Sequence, residues 1–87
     1  MRLEKIRLRI NSIDAQIISL LIKRQKLMLA VGTYKKENRL PIHQPRREAE
    51  ILRKLGRMAR AEGISPALVR KIFMAIFRDS KRIQKKS

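Results

Sequence analysis

Residues 3–38 read LEKIRLRINSIDAQIISLLIKRQKLMLAVGTYKKEN. Apolar side chains fall at Leu3, Ile6, Ile10, Ile13, Ile17, Leu20, Leu27, Val31 and Tyr34, in steps of mostly three and four. That is the period of one stripe along an α-helix. No proline precedes Pro41, and Gly32 alone weakens the run, by about 1 kcal/mol relative to alanine. One helix is therefore expected from about Leu3 to about Asn38, with Arg24 standing where the stripe wants another apolar residue.

The length of this helix decides the fold. About 36 residues at a rise of 1.5 Å extend roughly 54 Å. A compact chain of 87 residues has a radius of gyration near 12 Å, so it is only about 30 Å across. Two shorter helices of the same chain cannot cover a stripe of that length, and a second copy related by two-fold symmetry is the usual solution. The expected fold is all-α, three helices per chain with one very long, intertwined as a helical homodimer.

Beyond the first helix, Asn38–Pro45 reads as a linker, because residues before each proline are biased away from helix. Pro45 suits a first helical position, so a second helix is expected from there to about Ala61, with Glu48, Leu52, Leu55 and Ala59 on one stripe and Gly63 ending it. Ser65-Pro66 is a stronger start, an N-cap followed by proline. A third helix then runs to about Lys85, with Val69, Phe73, Ile76, Ser80 and Ile83/Gln84 along one face. No strand pattern or internal repeat is visible, and residues 1–87 read as one domain.

Composition narrows the class. The chain has 23 Lys+Arg against 7 Asp+Glu, a formal net charge of +16, yet 44% of it is hydrophobic, too much for a basic disordered tail. Without cysteine there are no disulfides, cysteine-zinc sites or thiol nucleophiles. The lone His43 has no second histidine to join it on a metal, so no metal site is expected. No apolar run approaches the roughly 18 residues of a membrane span, and Met-Arg-Leu-Glu-Lys leads into no signal-type core. A soluble, cytoplasmic protein with no membrane partner is the expectation.

Several polar residues occupy positions on the apolar stripes: Arg24 in the first helix, Glu48 in the second, Ser80 and Gln84 in the third. Lys35 follows Arg24 by eleven residues and returns to nearly the same face, with the Cα atoms about 16 Å apart. Each residue alone has an ordinary reading, as a snorkelling, helix-end or solvated side chain. Together they suggest a pocket for a small polyanion, because a buried unpaired charge is costly unless something compensates it.

The runs Ile6–Asp14, Ile17–Arg24, Ala30–Lys35, Leu40–Ile42, Arg47–Glu50 and Ile72–Gln84 together resemble the AroQ-type, all-helical chorismate mutases along almost the whole chain. The resemblance implies an intertwined dimer with two active sites. It also implies conversion of chorismate to prephenate by an intramolecular Claisen rearrangement, a step of aromatic amino-acid biosynthesis, without a cofactor. Arg7, Arg24, Lys35, Arg47, Glu48, Ser80 and Gln84 fall on family active-site positions, and the family's equivalent of Arg7 comes from the partner chain. Helix geometry agrees, since Arg7 lies about 42 Å from Lys35 on one straight helix. Gln44 departs, standing where the family has an aspartate near the ring-hydroxyl end of the substrate.

The roles that follow are specific. Arg24 and the partner-donated Arg7 are expected on the two carboxylates, and Lys35 and Gln84 on the ether oxygen. Glu48 is expected on the ring hydroxyl, with Arg47, Ser80 and Gln44 completing the pocket. Lys35, Gln84 and Glu48 are the expected catalytic residues. Three other readings remain: an isochorismate pyruvate-lyase on the same scaffold, a basic nucleic-acid-binding helical module, and a dimerisation or regulatory module without catalysis. Scarce aromatics speak against specific nucleic-acid binding, and Glu48 with Gln84 favours the mutase.

Overall fold

The computed structural model describes residues 2–87 and consists of three helices: α1 (Leu3–Glu37), α2 (Pro45–Ala61) and α3 (Pro66–Lys85). Local chemistry sets each boundary. Ser65 Oγ accepts from the Leu68 amide at 3.2 Å and caps α3, with Pro66 following it. Helix α2 ends in a Schellman turn, in which the Ile64 amide donates to the Ala59 carbonyl at 2.8 Å and Gly63 takes φ +70°. Helix α1 ends the same way, one residue earlier than expected. Leu40 donates to the Lys35 carbonyl at 2.8 Å, and the residue in the left-handed conformation is Arg39, at φ 56°. Asn38, read as the last helical residue, is the C-cap.

Helix α3 lies in the middle. It packs against the C-terminal half of α1 on one side and against α2 on the other. Residues 24, 28 and 29 of α1 meet residues 80, 84 and 87, so α1 and the α3 end of the chain run parallel. Helices α2 and α3 form an antiparallel hairpin, with Glu48 near its start meeting Lys81 near its end.

This single row of helices measures 55 × 25 × 14 Å and has a radius of gyration of 16.1 Å. A helix with its side chains is about 10–12 Å thick, so the molecule is little more than one layer deep. One layer cannot enclose a core of its own. Among the described apolar residues only Ala59 and Phe77 are buried, and Phe77 packs edge-on to Phe73 with ring centroids 6.1 Å apart. Every described residue up to Leu20 is exposed, including Ile6, Ile10, Ile13 and Ile17.

The α1 stripe divides in a way its periodicity does not reveal. Toward α3 the helix presents Leu21, Arg24, Met28, Val31 and Lys35, all buried or half-buried. Leu20, Leu27 and Tyr34, assigned to the same stripe, are 62%, 64% and 60% exposed. Gly32 sits at the closest approach: a Cβ there would lie 2.5 Å from the Gln84 carbonyl oxygen and 2.7 Å from its Cα. The weak point in the α1 helix is thus where α3 touches its backbone. No helix is long and apolar enough to cross a membrane among the described residues.

Candidate active site

The three helices and the linker enclose a cavity of about 270 Å³. Helix α1 contributes Arg24, Met28, Val31 and Lys35, and the linker contributes Ile42 and Gln44. Helix α2 adds Arg47, Glu48 and Ile51, and α3 adds Phe77, Ser80, Lys81 and Gln84. Apolar walls therefore carry a few convergent polar groups, the usual composition of a small-molecule site. Of the residues singled out in the sequence, only Arg7 is elsewhere, on the exposed N-terminal half of α1.

Lys35 and Gln84 form the deepest polar pair. Lys35 Nζ donates to Gln84 Oε1 at 2.6 Å and to the Ile42 carbonyl at 3.0 Å, and both side chains are buried. Burial pushes the Lys35 ammonium below the ordinary lysine range, an effect that the nearby Glu48 partly offsets. An ammonium can only donate, so the amide must turn its oxygen to Lys35. Its Nε2 is left with the Met28 sulfur at 3.7 Å, a weak acceptor, and is the amide's spare donor.

Arg24 is steered by Ser80. The Ser80 hydroxyl donates to the Ile76 carbonyl at 2.8 Å and accepts from Arg24 Nη1. Burial, and secondarily the Arg47 guanidinium, holds Arg24 below its ordinary pKa. A desolvated guanidinium beside a second cation and a neutral hydroxyl favours an anionic ligand. Arg47 lies at the cavity rim, exposed and 3.4 Å from Glu50.

Glu48 supplies the lining's one carboxylate, and its Oε2 lies 3.0 Å from Lys81 Nζ and 3.6 Å from His43 Nδ1. No hydrogen bond reaches its Oε1 among the described residues. Gln44 is the N-cap residue of α2, but its side chain makes no capping bond. Lys81 was missed in the sequence. Its spacing held the signal, since Phe77, Ser80, Lys81 and Gln84 follow an i, i+3, i+4, i+7 pattern that shares one helix face. His43 is exposed and still reaches Lys81 Nζ at 3.1 Å. No group of acidic and histidine side chains suited to a metal occurs among the described residues.

Fold and cavity together define an all-helical domain that offers a small anion two oriented cations, a spare amide donor and one carboxylate. A family model described as chorismate mutase type II matches residues 6–85, and the chain belongs to that family. It is 36% identical over 78 residues to the T-protein of Enterobacter agglomerans, a match covering 90% of this chain and 21% of that protein. The chain thus spans about a fifth of the T-protein's length. It is 29% identical over 84 residues to the chorismate mutase of Methanocaldococcus jannaschii, covering 97% and 85% of the two chains. A solved structure, a conserved hypothetical protein from Pyrococcus furiosus, superposes with a TM-score of 0.76 at 41% identity, over 94% of this chain and 93% of that one.

Proposed function

We propose that this protein converts chorismate to prephenate, working in the cytoplasm as an intertwined homodimer whose sites each borrow Arg7 from the partner. The observation that supports the reading is the Lys35–Gln84 pair beside Arg24 in one cavity, which gathers two donor groups and a second cation.

The reaction breaks an ether C–O bond and forms a C–C bond within one molecule, so it needs no nucleophile or general base. Its barrier falls if the flexible enolpyruvyl arm is held folded over the ring and if charge growing on the ether oxygen is met by donors. Arg24, held by Ser80, takes one carboxylate, and the partner's donated arginine takes the other, which imposes the folded shape. Lys35 Nζ and Gln84 Nε2 donate to the ether oxygen, where interactions strengthen toward the transition state. Glu48 Oε1 accepts from the ring hydroxyl, and Arg47 and Gln44 close the rim. The net charge of +16 raises the local concentration of a dianion.

The dimer is supported by the single-layer fold and by the N-terminal half of α1, whose Leu3, Ile6, Ile10, Ile13 and Ile17 are exposed. In solution, light scattering is expected to give twice the chain mass, and a monomer would overturn this reading. Arg7→Ala and Lys35→Ala, each inactive alone, should regain about a quarter of wild-type activity when mixed and refolded, because half the dimers then hold one intact site. If Arg7 served its own chain, mixing would restore nothing. Activity itself is tested by incubation with chorismate and identification of prephenate. Pyruvate release from isochorismate in a parallel reaction would instead support the lyase.

A further inference from the structure

We propose that Lys81 sets the substrate selectivity of this cavity, by holding Glu48 as an acceptor for a neutral ring hydroxyl and excluding a cationic amine from the same place. The inference rests on the chorismate-to-prephenate reading and specifies which ring substituent the site takes.

Glu48 is the lining's one carboxylate, so any donor group on the ligand's ring competes for it. The shortest approach of each basic neighbour to the Glu48 carboxylate is at Oε2: Lys81 Nζ at 3.0 Å and His43 Nδ1 at 3.6 Å. Oε1, which makes no hydrogen bond among the described residues, is the oxygen assigned to the ligand. The Glu48 and Lys81 side chains are 19% and 28% exposed, so their charges are only partly screened by water. A hydroxyl donates one hydrogen bond to Oε1 and brings no charge. An ammonium on the same ring carbon would meet a carboxylate already neutralised by Lys81 and would lie beside the Lys81 ammonium. Gln44, one turn before Glu48 in the lining, is uncharged and offers no second carboxylate to offset that repulsion. Like charges brought together at a desolvated site are strongly unfavourable, and repulsion of this kind is an effective way to reject a near-isosteric compound. Lys81 is a positioning residue here: it acts through Glu48 and does not itself touch the reacting atoms.

The test compares kcat/KM for chorismate and for its analogue with an amine in place of the ring hydroxyl, near neutral pH, in the wild type, Lys81→Met and Lys81→Arg. Wild type should favour the hydroxyl compound by roughly tenfold or more. Lys81→Met should shrink that ratio about fivefold or more, through gain on the amine, while Lys81→Arg keeps it within about twofold. An unchanged ratio in Lys81→Met, or an equal loss on both compounds, would show that the pair only ties α2 to α3 and would overturn the proposal. Calorimetric affinities for the same two compounds separate the two readings. A wild type that converts neither compound sinks the mutase reading, whereas the shift in binding ratio still decides the role of Lys81.

Discussion

Lys35 donates to Gln84 Oε1 at 2.6 Å, and this bond decides which end of the buried amide is free to donate to a ligand. The lysine therefore acts twice, as a cation in the cavity and as the group that orients its neighbour.

Removing either donor should act on turnover. Lys35→Ala and Gln84→Ala are each expected to lower kcat by about 10²–10³, with smaller effects on KM. Arg24→Ala should raise KM as well, since the proposed function places it on a ground-state carboxylate. Steady-state kinetics on the three variants checks this. Full turnover in Lys35→Ala would remove Lys35 from the ether oxygen.

Activity should fall on the alkaline side with a midpoint below 10.5, the ordinary lysine value, because burial lowers the Lys35 pKa. The sign for activity is that the ammonium is needed, so activity is complete below the folded-state pKa and lost as pH rises through it. For stability the sign reverses. The unfolded chain binds this proton more tightly, so between the folded pKa and 10.5 the Lys35 contribution to stability rises with pH. In Lys35→Arg, the alkaline limb of the pH–rate profile should move upward or vanish. A limb that stays in place belongs to another group.

Ser80→Ala should loosen Arg24 without removing it. The half-buried guanidinium loses its acceptor on α3, and KM is expected to rise about tenfold, near the cost of one hydrogen bond to a charged group. Ser80→Thr, which keeps the hydroxyl, should lose less. Equal losses in both would place the effect in packing.

Gly32→Ala should destabilise the fold despite alanine's better helix propensity. The new Cβ would lie 2.5 Å from the Gln84 carbonyl oxygen, so α3 must shift, at a cost of about 1–3 kcal/mol. Because the displaced residue is Gln84, kcat should fall with the melting temperature. A stabilised, fully active variant would show that α3 yields there at little cost.

Arg39→Gly should stabilise the protein by about 1 kcal/mol, because Arg39 occupies the left-handed position of the α1 Schellman turn that Gly63 fills after α2. Thermal unfolding measures it. No gain would mean that the arginine side chain offsets its backbone strain.

Much of the architecture was readable along the chain. The stripes, the two prolines that open α2 and α3, the Ser65 cap and the Gly63 terminator are all local signals, and the observed bounds lie within a residue of those expected. Arg24, Glu48, Ser80 and Gln84 stood out because a polar residue on an apolar stripe demands compensation, and all four line the cavity. Lys81 escaped because it looked like one more cation among 23 Lys+Arg.

By itself, then, the sequence determined where helices start and stop and which faces are apolar, because capping, proline geometry and periodicity act over a few neighbouring residues. Only the tertiary structure decided that α3 lies between α1 and α2, that α1 turns Met28 rather than Leu27 toward it, that Lys35 holds Gln84 by its oxygen, and that Lys81 takes Glu48. The Lys35–Gln84 partners stand 49 residues apart and the Arg24–Ser80 partners 56. Their meeting depends on the rotation and register of whole helices, which are set by contacts such as Gly32 against α3 that no local pattern encodes.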